Sequence, residues 1–137
     1  MTLVLFALLA HAGVVAAAEP APGALKEGWN EEQIETAAYS CTEGLLQPTL
    51  RDYKAAAAAR GNTNPKPFPE QAFRESALPM CSCIVRRAAE IMTLAEFGNG
   101  ANKKTDPLIQ EAMEGGRCKP EGLLGDMIER ARAKAAN

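Results

Sequence analysis

Cysteine is the residue type with the most specific chemistry in this chain of 137 residues, and it occurs at Cys41, Cys81, Cys83 and Cys118. The middle two form a C-x-C pair at the start of the segment Met80–Met92, MCSCIVRRAAEIM. Cysteine sulfur can form structural disulfides, bind soft metal ions such as Cu(I), or exchange disulfides with another thiol. The spacing of the four sulfurs, and the elements that carry them, decide between these chemistries.

The C-x-C pair is predicted to lie on a helix, and a helix separates its two sulfurs. Residues two apart on a helix are rotated by about 200°, so Cys81 and Cys83 point to nearly opposite sides. A disulfide needs facing Cβ atoms, so these two residues cannot bond to each other while the helix is intact. Each must pair with Cys41 or Cys118, which leaves two of the three possible pairings.

The apolar faces of the predicted helices favour one of these pairings. Cys81 shares a stripe with apolar residues at helical spacing, namely Ile84, Val85, Ala88 and Met92. Cys41 lies on the apolar side of its own predicted helix, whereas Cys83 shares its side with charged residues. We therefore favour Cys41–Cys81 in the core and Cys83–Cys118 at the periphery over Cys41–Cys83 with Cys81–Cys118.

Two other uses of the sulfurs stay open as alternatives. A periplasmic copper-binding protein could use Met80, Cys81 and Cys83 as soft ligands, provided that the helix began after Cys83. Thiol–disulfide exchange usually relies on C-x-x-C at a helix N-terminus in a βαβ context, and C-x-C is a different motif. An even cysteine count behind an export segment favours structural disulfides over both. We expect no metal site and no cofactor.

The N-terminal segment has the character of an export signal. Residues 2–18, TLVLFALLAHAGVVAAA, carry no charge apart from a partial one on His11. The small residues Ala16–Ala18, followed by Glu19, match the small-x-small cleavage pattern of a secretory signal peptide, although a basic start is missing. No cysteine stands at this point, so lipoprotein attachment is not indicated.

These features divide the chain into three parts. We expect a signal peptide over residues 1–18, a flexible tail over 19–28 and a single helical domain over 29–137. The alternative for the first part is an uncleaved membrane anchor, although its length is at the short limit for crossing a bilayer. Disulfides behind a signal peptide predict a periplasmic or secreted protein.

The distribution of histidine and charge excludes several function classes. His11 is the only histidine, so cleavage would leave none for Ser–His or Cys–His catalysis, for a His-ligated metal, or for haem attachment. The chain has 15 basic and 17 acidic residues, a net charge of −2. This balance gives no support to nucleic-acid or anionic-membrane binding. We expect no nucleic-acid partner and no stable membrane insertion after cleavage.

Helices are the only elements that the sequence predicts, which gives an all-α, disulfide-stapled bundle of about four to six helices without a β-sheet. The first helix starts at the N-cap Asn30, with Gln33 completing a capping box and Trp29 as a hydrophobic staple. Pro48 is expected to break or kink this helix, or to open a second one over Thr49–Arg60.

Proline and capping residues also mark the later boundaries. Pro69 opens a helix, and Pro79 either kinks it or separates it from the C-x-C helix. Thr93 and Glu96 form a second capping box. Two further helices complete the chain: Pro107–Glu114, capped by Asp106, and Glu121–Ala135.

The predicted function is that of an exported, non-enzymatic helical protein. Its helices are rich in alanine and only 5% of its residues are aromatic, so the core is thin. Two disulfides that close loops of about 40 residues each contribute about 4 kcal/mol and compensate for this core. We expect a binding or protective factor with a protein partner, such as an inhibitor, a chaperone or an envelope-assembly factor.

Overall fold

The computed structural model describes residues 23–99 and 102–136, and within them the chain forms five α-helices and no strand. The expected all-α, disulfide-stapled bundle is confirmed. The predicted signal peptide, and the tail up to residue 22, lie outside the described residues. The helices are α1 (Glu31–Ala59), α2 (Glu70–Ile91), α3 (Leu94–Gly98), α4 (Asn102–Met113) and α5 (Gly122–Ala135).

Helix α1 begins where the sequence predicts. The Oδ1 atom of Asn30 accepts a hydrogen bond from the Gln33 backbone N–H at 3.0 Å, which confirms the N-cap. The reciprocal half of the capping box does not form, because the Oε1 atom of Gln33 is buried without a hydrogen-bond partner. The N-cap alone is therefore sufficient to start this helix.

Of the three outcomes expected at Pro48, the break and the second helix are wrong, because α1 continues through this residue for 29 residues in all. Proline removes one backbone donor from the helix ladder. Packing on both sides of Pro48 offsets this loss: Leu46 before it and Ala57 after it are buried, and the Tyr53 hydroxyl donates to the Lys66 carbonyl at 2.8 Å. Tertiary contacts therefore override the local signal of one proline.

Helix α2 is the centre of the bundle, since α1, α4 and α5 all pack against it. It runs without interruption through Pro79, so the C-x-C pair lies in its interior rather than on a separate helix. One face of α2 supplies much of the core, through Phe73, Ala77, Met80, Cys81, Ile84, Val85, Ala88 and Ala89. The predicted apolar stripe of Cys81 is thus the buried face of this helix.

The later helices follow the sequence prediction except at α4. The Thr93–Glu96 capping box is confirmed, with both of its hydrogen bonds present. Helix α4 was expected to start at Pro107 but begins at Asn102 and contains Pro107 in its interior. The prediction was wrong because Pro107 costs α4 a backbone hydrogen bond, and burial of Leu108 and Ala112 on the following turns offsets this loss.

Residues 25–29, at the end of the segment expected to be a tail, pack against the end of α2. The Lys26 N–H donates to the Ala89 carbonyl at 2.8 Å, and the Glu27 carbonyl accepts from the Leu94 N–H at 3.0 Å. The buried indole N–H of Trp29 donates to a backbone carbonyl 63 residues further along the chain, at 2.9 Å. The packed domain therefore starts several residues before α1.

Candidate functional site

All four cysteines are bonded in pairs, and the pairs are those that the sequence favoured. Cys41–Cys81 joins α1 to α2 with a Cα–Cα distance of 5.9 Å. Cys83–Cys118 joins α2 to the loop before α5 with a Cα–Cα distance of 5.5 Å. Because Cys81 and Cys83 point to opposite sides of α2, each disulfide attaches a different neighbour to this helix.

The ligand set of the copper alternative does not come together in this oxidised state. Cu(I) binds thiolate sulfur, whereas Cys81 and Cys83 are each bonded to another cysteine. Met80 is buried in the core. The described parts of the chain contain no group of three or more Cys, His, Asp or Glu side chains placed to hold a metal ion.

The side of α2 between its two disulfides is open to solvent. We call it the outer face, and its exposed members are Gln71, Ala72, Glu75, Leu78, Pro79 and Arg86. Helix α1, held by Cys41–Cys81, borders it on one side. The loop of residues 118–122, held by Cys83–Cys118, borders it on the other. The two disulfides therefore fix both borders of one surface.

A groove of about 600 Å³ lies along the loop border of the outer face. Pro79 and Met80 of α2 form part of its lining, and Cys118, Lys119 and Leu123 form part of the opposite side. The groove is thus an open site next to the peripheral disulfide, lined by both apolar and charged residues.

Ser76 and Gly122 hold this border of the groove in place. The Ser76 hydroxyl donates to the Phe73 carbonyl at 2.8 Å and accepts from the Leu124 N–H at 3.1 Å, which ties the start of α5 to α2. Gly122 has a φ of +56°, and a Cβ at this position would lie 3.3 Å from the Ser76 Cβ. Glycine is therefore favoured here both by its backbone conformation and by the close approach of α2.

Two ion pairs fasten α1 to α2 along the other border. Arg74 donates two hydrogen bonds to Glu43, at 2.6 and 3.3 Å. Arg86 likewise donates two to Glu31, at 2.6 and 3.1 Å. These bonds lower the pKa of both glutamates and raise the pKa of both arginines. The pairs also set the antiparallel register of the two helices.

Tyr39 and Leu78 lie between these two ion pairs, along the border where α1 packs against α2, which we call the seam. Tyr39 stands one helical turn before Glu43 on α1, and Leu78 stands one turn after Arg74 on α2, so both occupy the same level of the antiparallel pair. Their exposed fractions are 59% and 41%, large for such apolar side chains. Tyr39 is also close enough to Arg74 to contribute to its raised pKa. We call these two residues the Tyr39–Leu78 pair.

The sequence did not predict this surface, although it contains a signal for it. Leu78 is a large apolar residue that is out of phase with the core stripe of α2, and Tyr39 is out of phase with Ile34 and Ala38 on α1. An apolar residue off the buried stripe faces solvent unless another element covers it.

No helix within the described ranges is long and apolar enough to cross a membrane. Comparison of the chain with protein-family models, with curated proteins and with solved structures found no match.

Proposed function

We propose that the protein is an exported, non-enzymatic binding factor that holds a protein partner on the outer face of α2. The observation that carries the proposal is the open side of α2 between the two disulfides, where the Tyr39–Leu78 pair and the groove lie. Inhibition of a partner, its protection as a chaperone, or its assembly in the cell envelope are the forms of binding that fit such a factor.

The composition of the outer face supports binding rather than simple exposure. Exposed apolar side chains rimmed by polar residues are typical of protein interaction sites. Tyrosine is enriched among the residues that contribute most to binding energy at protein interfaces. Here Tyr39 and Leu78 lie between two ion pairs, which form the polar rim on this side.

The disulfides support both the rigidity and the location of the face. A surface held in one conformation before binding loses less conformational entropy when the partner binds. Two disulfides are also compatible with an exported protein, because they persist in oxidising compartments. The apolar segment over residues 2–18 and its cleavage pattern support export independently.

Site-specific photo-crosslinking in the producing cell tests the binding role. A photoreactive residue at Leu78 is compared with a control at Ile91, which is 50% exposed and lies on α2 away from the seam. We expect a discrete cross-linked species from Leu78, lost when Tyr39→Ser is added, and none from Ile91. Equal cross-linking from both positions, or none from Leu78, would contradict the proposal.

Cell fractionation with intact-mass measurement tests the export role separately. We expect the protein outside the cytoplasm, lacking residues 1–18, with a mass four hydrogens below that of the reduced mature chain. A full-length, reduced cytoplasmic form would be the opposite result.

A further inference from the structure

We infer that the partner presents a cationic segment to the outer face, with an apolar side chain flanked by Lys or Arg. This inference rests on the proposed binding function and adds the chemistry of the partner. It follows from the distribution of charge around the Tyr39–Leu78 pair and the groove.

Three carboxylates near the apolar part of the outer face form no ion pair among the described residues. Glu35 lies one helical turn before Tyr39 on α1, and Glu75 lies three residues before Leu78 on α2, so each is a surface neighbour of that apolar residue. Glu121 lies at the rim of the groove, which Glu75 also lines. The Glu75 carboxylate accepts a hydrogen bond from a neutral amide only, that of Gln71.

The arginines of the same surface are already neutralised. Arg74 contacts both Glu43 at 2.6 Å and Glu70 at 3.4 Å, and Arg86 contacts Glu31 at 2.6 Å. Lys119 is the cation that remains at the groove. The outer face and its borders are therefore acidic, and the unpaired charge lies beside the apolar side chains.

This distribution of charge favours a cationic occupant over two others. An acidic segment would meet the three unpaired carboxylates, and like charges placed opposite each other oppose binding. A second copy docked symmetrically through the same face would bring identical carboxylates together, because a two-fold interface pairs a surface with itself. A basic segment places its ammonium or guanidinium groups against these carboxylates while its apolar side chain contacts the Tyr39–Leu78 pair.

The test uses the oxidised full mature chain and labelled peptides of one length. The peptides keep the same leucines and carry Lys, Gln or Glu at the flanking positions. Fluorescence anisotropy at low and at physiological salt measures the dissociation constants. We expect the Lys peptide to bind at least about tenfold more tightly than the Glu peptide at low salt, with the difference reduced by salt.

Two variants of the protein with the same change in net charge test whether these particular carboxylates are responsible for the affinity for the Lys peptide. The triple variant Glu35→Gln, Glu75→Gln, Glu121→Gln removes the three unpaired carboxylates, and we expect it to weaken binding of the Lys peptide about threefold to tenfold. The control variant removes three acids away from the groove and the Tyr39–Leu78 pair and should leave the affinity unchanged; its substitutions are Asp52→Asn, Glu114→Gln and Glu129→Gln.

Three results would overturn the inference. These are equal affinity for the Lys and Glu peptides, equal weakening by both triple variants, and no binding of the Lys peptide at concentrations up to about 1 mM. None of these results would decide whether the protein binds a partner at all. That question is answered by the cross-linking at Leu78, which does not depend on the charge of the partner. Cross-linking without charge preference would mean that the face binds through apolar contact alone.

Discussion

The two disulfides close loops of similar length but occupy different surroundings. The sequence separations are 40 residues for Cys41–Cys81 and 35 for Cys83–Cys118, so chain entropy gives each about 4 kcal/mol. Cys81 has no exposed surface, although its partner Cys41 is half-buried, and their disulfide joins the two longest helices. Cys118, by contrast, is half-buried beside the groove and has a φ of +59°, in the left-handed region that few residues other than glycine adopt. One disulfide therefore belongs to the core, and the other shapes the surface.

The largest expected effect is the loss of the core disulfide. Cys41→Ala with Cys81→Ala removes the cross-link and leaves a cavity in the core, so we expect the free energy of unfolding to fall by about 4 kcal/mol or more. Cys83→Ala with Cys118→Ala should cost less, about 2 to 3 kcal/mol, since residue 118 can relax its backbone. Urea denaturation followed by circular dichroism measures both. Equal losses of unfolding free energy would show that the stabilisation by each disulfide depends on loop length alone and not on its surroundings.

The second prediction concerns the rate at which each disulfide is reduced. Cys83 and Cys118 are both half-buried and Cys118 lies in a loop that can open locally, whereas Cys81 is buried and its half-buried partner Cys41 lies within α1. A thiolate reductant therefore reaches Cys83–Cys118 with less disruption of the fold than Cys41–Cys81. We expect dithiothreitol to reduce Cys83–Cys118 at least about tenfold faster, as measured by alkylation and peptide mass mapping of the native protein. If Cys41–Cys81 were reduced first, the core and surface assignments would be reversed.

A smaller effect isolates the backbone conformation of residue 118. In a chain that already carries Cys83→Ala, glycine at position 118 should give a free energy of unfolding about 1 kcal/mol higher than alanine, because glycine adopts a positive φ without the Cβ penalty. Thermal melts of the two variants under the same conditions measure the difference. Equal melting temperatures would indicate that residue 118 leaves the left-handed region once its disulfide is gone.

The smallest effect concerns the ion pair beside each disulfide. Hydrogen bonds from Arg74 and from Arg87 hold the pKa of Glu43 and of Glu111, respectively, below the ordinary value of 4.5. A carboxyl with a lowered folded pKa stabilises the fold above its unfolded pKa, and this stabilisation is lost as pH falls through the folded pKa. We therefore expect Glu43→Gln and Glu111→Gln each to flatten the fall in melting temperature below pH 4.5.

Local signals were sufficient to predict most of the fold. Asn30 and Thr93 cap helices through their own neighbours, so their positions could be read from short spacings. The C-x-C pair excludes one cysteine pairing through helix geometry alone. The break or second helix expected at Pro48 and the helix start expected at Pro107 were wrong, because a well-packed helix tolerates one missing hydrogen bond and that packing is set by distant residues.

The candidate site was less predictable than the fold. Leu78 and Tyr39 can be seen to lie off the core stripes, but only the placement of the neighbouring helices determines that nothing covers them. The groove depends on where Cys83–Cys118 positions the loop before α5, which follows from the bundle as a whole. The spacing of the cysteines predicted the two disulfides, but it did not predict the outer face that lies between them.

The chain contains a single tryptophan, and its position provides an internal optical reporter. The Trp29 indole is buried, its N–H donates to the Met92 carbonyl, and its ring lies 5.1 Å from that of Phe97. Its emission maximum should therefore shift to longer wavelength when the junction of α2 and α3 opens to water. Met92 lies nine residues beyond Cys83, about 13 Å along the helix axis, so the native fluorophore can distinguish unfolding of this junction from a change confined to the groove, without any added label.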